Sequence, residues 1–251
     1  MALLLTLFLV HSTGSDSSTG QSRSITLRFG EKSIRNYVEL IDPEMQLNET
    51  ICMWIKWMKV SKSYLMNTVL RYEDIDSKRR IVMQTELNGD VSLFFDGSHH
   101  SSFFSPNSRT WYHICLVWNF DKLAGSFRVY IDGVRVKLSD SKIKLNPDKP
   151  ARKRRLRLGE IKNFEVYKLN VYSRVLTRCE INDMAEDRCS TVEETFGDVR
   201  RIRWEDYIQR AIRIGDVTYH IDSGCNSQPP EKAQDNIEGQ NQTESNGKIC
   251  C

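Results

Sequence analysis

The 251-residue chain contains no apolar run approaching the roughly 20 residues that a membrane-spanning helix needs. Its seven cysteines, at 52, 115, 179, 189, 225, 250 and 251, form no CxxC pair. Its histidines form no HxxxH, so the usual frames for zinc are missing. Neither a glycine-rich phosphate-cradling loop nor a serine-hydrolase elbow occurs. The net charge of +3 is mild and implies no particular partner.

What is present begins with MALLLTLFLVHSTGSDSSTGQ. The apolar stretch Ala2–Val10 is too short to span a bilayer, and small residues follow at Ser12 and Gly14. Although a basic n-region is missing, this reads as a secretory signal over 1–14, with a polar leader over 15–23. The expected product is a secreted, extracellular protein without a membrane span, for which nucleic acid is not an expected partner. Two sequons suit that route, Asn48-Glu49-Thr50 and Asn241-Gln242-Thr243, making Asn48 and Asn241 the expected glycosylation sites. The closing KICC is not expected to be prenylated, because that machinery is cytosolic. Residues 226–251 are polar and lack aromatics, the composition of a disordered tail. An odd cysteine count leaves at least one thiol free or paired with another chain, and Cys250 and Cys251 are the candidates.

The foldable segment, 24–225, repeats with period two. In SFRVYIDGVRVKL, Phe127, Val129 and Ile131 alternate with Arg128, Tyr130 and Asp132. Asp132-Gly133 then suits a type I′ hairpin turn, whose central residues both need positive φ. Similar patterns predict strands near 25–29, 37–41, 50–58, 80–85, 91–95, 111–119, 155–159 and 165–172. So many short strands argue for an all-β sandwich or barrel. One short helix is predicted over 177–186, with Thr177 and Glu180 as a capping box and Leu176, Ile181, Met184 and Ala185 as its buried stripe.

The strand WYHICLVWNF, 111–120, poses the choice between metal site, nucleophile and staple. His113, Cys115 and Val117 share one face, and Ile114, Leu116 and Trp118 the other. A catalytic Cys/His pair usually converges from separate elements, which neighbours at i and i+2 of one strand rarely do. Cys52, in the apolar strand TICMWIKWM, offers a simpler role. A Cys52–Cys115 bridge would close a loop of roughly 60 residues, stabilising by about 4 kcal/mol in the chain-entropy description.

These residues resemble the pentraxin family. Its signature, His-x-Cys-x-[Ser/Thr]-Trp-x-[Ser/Thr], is matched by His113, Cys115 and Trp118, while Val117 and Phe120 replace the hydroxyl residues. FGEKSIRNYVEL resembles the family's entry segment, and Cys52 falls where the signature cysteine's partner lies. LRLGE with VYKLNVYSRVLTRCEIND resembles its late strand and helix, and RWEDYIQRAIRIGDVTYHI its closing hairpin. The likeness implies an antiparallel two-sheet jelly roll, as in legume lectins and laminin-G modules. It also implies a cyclic homo-oligomer and a double calcium site binding phosphocholine, phosphoethanolamine or sugars.

The chain departs from that pattern at the calcium loop. After Leu158-Gly159 come only Glu160, Ile161, Lys162 and Asn163 before Phe164, leaving one carboxylate. The other family ligands fall near Asp76-Ser77, beside Lys78, Arg79 and Arg80. Calcium takes six to eight oxygens. No cofactor or metal is therefore expected, and a single weak calcium ion at Asp76 and Glu160 is not expected either. A glycosidase reading of Glu73, Asp74 and Asp76 fails because the Glu-x-Asp-x-x-Glu frame is broken, so no enzyme is expected. In ARKRRLRLG, Arg152, Lys153, Arg154 and Arg155 are candidates for anionic-glycan binding, against a solvated strand entry or a furin-type cleavage site. His99-His100 reads as a surface loop. The sequence thus points to a non-enzymatic recognition protein for extracellular glycans, anionic ligands or proteins. Its alternative is an adhesive module cross-linked through tail cysteines.

Overall fold

The computed structural model describes residues 24–31, 35–42, 48–59, 67–74, 80–95, 98–119, 126–138, 154–160, 162–186 and 199–222. Among them, two antiparallel sheets face each other: of the sandwich or barrel that the strand pattern left open it is the sandwich, the jelly roll that the pentraxin resemblance implied. Sheet A runs β10 (Val134–Val136), β9 (Ser126–Ile131), β8 (Trp111–Asn119), β3 (Asn48–Trp57), β12 (Phe164–Tyr172), β1 (Ser24–Phe29), β15 (Val217–Asp222). A short β13 (Arg200–Ile202) also pairs with β12. Sheet B runs β14 (Ile212–Ile214), β2 (Tyr37–Asp42), β11 (Arg154–Gly159), β4 (Asn67–Asp74), β5 (Arg80–Thr85), β6 (Val91–Phe95), β7 (Ser98–Phe104).

Period-two alternation builds the core. Ile51, Met53, Ile55 and Trp57 of β3 meet Leu156 and Leu158 of β11 and Leu70 and Tyr72 of β4 within one apolar cluster. Ile114, Leu116 and Trp118 of β8 join them, as do Val129 and Ile131 of β9. The other face of β8 is buried too. Cys115 and Val117 lie in a second cluster with Cys52, Tyr130, Tyr172, Leu176, Ile181 and Met184. Ile181 and Met184 come from α1 (Arg178–Glu186), so this helix covers the outer face of sheet A at that end. A strand apolar on both faces is what a middle strand with a helical cover demands.

Local chemistry fixes the connections. Asp132 and Gly133 have φ of 49° and 78°, as a type I′ turn requires. A Cβ at Gly133 would meet Asn182 Oδ1 of α1 at 2.6 Å. At the start of α1, the Glu180 amide donates to Thr177 Oγ1 at 3.3 Å, and the Thr177 amide to Glu180 Oε2 at 2.7 Å, the expected capping box.

Three readings need correction. The fold has a second short helix, α2 (Trp204–Arg210), inside the segment read as a closing hairpin. Trp204 and Tyr207, three apart, bury on the core, and Asn170 Oδ1 accepts the Trp204 amide at 3.0 Å in place of an N-cap side chain. Nor do the strands after it form a hairpin: β14 pairs with β2 and β15 with β1, so the two edge opposite sheets across Gly215 (φ 85°). His99 and His100 lie in β7, paired with Phe94 and Leu93, not in a loop. β4 was not foreseen at all.

Arg174 reinforces the α1 cap with a bidentate contact to Glu180. That guanidinium and the Thr177 hydrogen bonds hold Glu180 at a pKa of about 2 against an ordinary 4.5. A depressed carboxylate stabilises the fold above its unfolded pKa and stops doing so as pH falls through its folded one. Glu180→Gln is expected to cost roughly 1–2 kcal/mol at pH 7. In urea titrations that difference from the parent chain should hold above pH 4.5 and shrink towards pH 2.

Candidate functional site

Two clusters carry most of the polar chemistry among the described residues. The first lies on the outer face of sheet B. In β11, Leu156 and Leu158 face the core, which turns Arg155 and Arg157 outward. Register places Arg157 between Glu39 of β2 and Arg71 of β4, and Arg155 between Ile41 and Glu73. Arg157 reaches Glu39 Oε2 through Nη2 at 2.6 Å and Nε at 2.9 Å, and its Nη1 contacts Glu160 Oε1. Arg155 bonds Glu73 at 2.9 Å and lies 3.2 Å from Glu39. Arg71 Nη2 takes the other oxygen of Glu160 at 3.0 Å. The Arg157 guanidinium also stacks 4.2 Å from the Tyr37 ring centre.

Burial alone would lower the Arg157 pKa, but hydrogen bonds and charge from Glu39 and Glu160 outweigh it and raise the value. The result is a neutral mosaic of three guanidiniums and three carboxylates with an aromatic ring at its margin. Beside it on the same face, Thr68, Gln84 and Ser92 align across β4, β5 and β6. Arg71 Nε and Ser92 Oγ are buried without a hydrogen-bond partner. Thr68, Gln84 and Ser92 are themselves buried, so it is the partly exposed guanidiniums that can swap a Glu carboxylate for a ligand's anionic group.

The second cluster surrounds the predicted staple. Cys52 and Cys115 are direct cross-strand partners and form a disulfide, with Cα atoms 4.2 Å apart. Contrary to the expectation for an i, i+2 pair, His113 does converge on it, with Nε2 3.7 Å from Cys115 Sγ. The Trp54 ring lies 5.1 Å from the imidazole. Burial, then the charge of Lys168, lower the His113 pKa to about 3, so the ring is neutral at physiological pH. With both sulfurs in a disulfide, this cluster has no nucleophilic thiolate.

Of the other sequence-picked residues, Arg155 lies in the mosaic and Arg154 in β11, while Arg152 and Lys153 fall outside the described residues. Asn48 opens β3 opposite Asn119 and is half-buried. The hydroxyl of its sequon's Thr50 is buried, donating to Arg174 O at 2.9 Å and accepting from Leu176 N at 3.0 Å. Asp76, Asn241, Cys189, Cys225, Cys250 and Cys251 also fall outside the described residues. Glu73, once a glycosidase candidate, is held by Arg155. Sequence reasoning missed Tyr37, Glu39, Arg71 and Arg157 as a group. Outward alternation in YVEL and RRLRLG was the available signal, but the pairing of β2 with β11 was not.

Residues 32–182 match the family described as the concanavalin A-like lectin/glucanases superfamily. The chain belongs to that superfamily. No curated protein matches it. Among solved structures, a native heptameric SAP-like pentraxin from Limulus polyphemus is similar, with a TM-score of 0.54 at 15% identity, covering 81% of this chain and 97% of that one. The binding domain of botulinum neurotoxin serotype D follows at TM-score 0.46 and 15% identity, covering 65% of this chain and 46% of the toxin chain. Trypanosoma rangeli sialidase gives 0.47 and 15%, covering 57% and 24%. At these identities the likeness to the pentraxin is one of fold.

In this lectin-like sandwich the mosaic arginines differ in exposure, 15% for Arg157 and 32% for Arg155. Removing the more buried partner leaves Glu160 with Arg71 alone and Glu39 with only the 3.2 Å contact to Arg155, in a drier site. Arg157→Met is expected to cost about 2 kcal/mol, about twice the cost of Arg155→Met. Urea denaturation of both variants checks the ranking, and a larger loss at Arg155 would contradict it.

Proposed function

We propose that the chain is a secreted recognition protein that binds extracellular glycans or other anionic ligands on the outer face of sheet B, without calcium. The observation that carries this is the set of partly exposed guanidiniums of Arg71, Arg155 and Arg157 aligned across β4 and β11, with the Tyr37 ring against Arg157. Guanidiniums recognise carboxylates and sulfates in a fixed planar geometry, and an aromatic ring offers a face to a sugar. By sequence, Arg152, Lys153 and Arg154 add positive charge immediately before Arg155. The signal-like residues 1–14, the sequons at Asn48 and Asn241 and the Cys52–Cys115 disulfide support export to an oxidising compartment.

Glu160 supports the calcium-free part of this reading. It is the lone carboxylate of the shortened loop, and it gives one oxygen to Arg71 and the other to Arg157. A cation there would have to displace two guanidiniums while gaining a single side-chain carboxylate from the loop, far short of the six to eight oxygens calcium takes. Self-assembly belongs to the same proposal, since the similar pentraxin is described as heptameric.

Binding to heparin and to sialylated or sulfated glycans, measured with and without EGTA, tests this. Affinity should be indifferent to EGTA, fall with salt, and drop about tenfold or more in Arg155→Ala and Arg157→Ala. Binding that EGTA abolishes, or that survives both substitutions, would refute the proposal.

A further inference from the structure

The rim of sheet B is built inside out. In β14, Ile212 and Ile214 lie opposite Glu39 and Tyr37 of β2, so they share the outer face, while the intervening Val38 is buried in the core. Ile212 is 60% exposed and Ile214 40%. Arg213, between them, reaches the other way and stacks 4.2 Å from the Tyr219 ring centre. An edge strand over a core ordinarily buries its isoleucines and exposes its arginine. A shift of one position would restore that order. Gly215 holds the register against it: a Cβ there would stand 2.1 Å from Arg35 O, and the next amide, of Asp216, donates to Asn36 Oδ1 at 2.7 Å.

The inversion belongs to a larger pattern. Among the described residues seven large hydrophobics are exposed, and five of them, Ile41, Ile212, Ile214, Tyr219 and Ile221, lie on β2, β14 and β15. β14 and β15 are the rims of the two sheets, joined through Gly215, so these side chains line one side of the sandwich. Single exposed apolar residues are ordinary, whereas a contiguous set bordered by charge marks a docking surface.

We propose that this rim docks on an anionic lipid bilayer, with Ile212 and Ile214 at the acyl boundary and Arg155 and Arg157 among the phosphates. It rests on the anion-binding role given to the mosaic and adds the other half of the ligand, an acyl chain. Three neighbouring columns fit it: Ile212 and Ile214 on β14, Tyr37 and Ile41 on β2, Arg157 and Arg155 on β11. With strands about 4.8 Å apart, the guanidiniums stand roughly 10 Å behind the isoleucines. Peripheral proteins bury their apolar face about 5–10 Å into the headgroup and acyl boundary, with aromatic rings at headgroup level. Apolar, then aromatic, then cationic is the order that a bilayer matches from its interior outward.

Charge selects this partner over a second copy of the chain. Glu39, the acidic member of the middle column, is held by Arg157 and Arg155. Arg80, opposite Glu73 on the same face, brings a fourth guanidinium against the carboxylates of Glu39, Glu73 and Glu160. The excess is positive, so a copy would meet its own sign and an anionic bilayer the opposite one.

The test uses the full chain with EGTA present, cosedimented with vesicles of phosphatidylglycerol or of phosphatidylcholine, and heparin affinity is measured in parallel. The anionic vesicles should bind at least tenfold more tightly. Ile212→Ser together with Ile214→Ser should weaken that binding at least tenfold while leaving heparin affinity and the urea midpoint unchanged, because both side chains are exposed. Arg157→Ala should weaken both interactions. In Ile214→Trp, brominated acyl chains should quench the added fluorescence. Undiminished vesicle binding by the double serine variant, equal binding to both lipids, or no quenching by the brominated chains would overturn the proposal. So would a heparin affinity that falls with the serines, or a dimer that they dissolve. A parent chain that binds heparin but not vesicles fails this proposal alone, whereas one that binds neither fails the mosaic's anion-binding role beneath it.

Discussion

At the centre of sheet A, β3 and β8 run antiparallel over nine registered pairs, and the Cys52–Cys115 bond joins them in the middle. A slip of one residue would turn Ile51, Met53, Ile55 and Trp57 out of the core and bring Cys52 and Lys56 into it. The disulfide forbids that slip covalently, while the apolar faces forbid it energetically. The bond also shortens the loop entropy of a 63-residue separation, an effect of about 4 kcal/mol in the chain-entropy description. With β3 and β8 locked, β9 and β12 are placed on either side, and α1 acquires a flat apolar bed in Tyr130, Tyr172 and Val117.

The proposed binding surface depends on this frame at one remove. Sheet B is held by packing Leu156, Leu158, Leu70 and Tyr72 against sheet A. The same alternation that buries those leucines projects Arg155, Arg157, Arg71 and Glu73 outward. The charges then satisfy one another across strands, which keeps a half-buried polar face from destabilising the sheet. Glu160 links the mosaic to the end of β11 through Arg71 and Arg157. Glu160 is the one carboxylate of the shortened loop at the position where the pentraxin resemblance implied calcium ligands. Guanidiniums hold the carboxylate that a cation would need.

Legibility in the sequence followed physical locality. The β9–β10 hairpin was readable because Asp132-Gly133 encodes its own turn, and α1 because Thr177 and Glu180 cap each other. β3 and β8 announced themselves by apolar length. α2 was hidden because its first amide is capped by Asn170, a residue 34 positions away that no local motif reveals. β7, with SHHSS, carries little strand propensity and forms by pairing with β6. β4 was obscured by a register shift between Thr68 and Leu70 that breaks its alternation. The mosaic was half legible: one arginine of the basic run, Arg155, belongs to it, but the acidic partners come from strands whose order in the sheet is non-local. The approach of His113 to the disulfide was misjudged because the geometry of side chains at i and i+2 was weighed without the cross-strand cysteine that draws the three together.

The central claim is that a covalent cross-strand bond sets the register on which both sheets are built. Non-reducing peptide mapping of the protein recovered from culture medium, after alkylation of all accessible thiols under denaturing conditions, tests it most directly. The account predicts a single linked species joining the peptides of Cys52 and Cys115, with no alkyl group on either residue. Recovery of both as alkylated monomeric peptides, or of either bonded to a different cysteine, would contradict it.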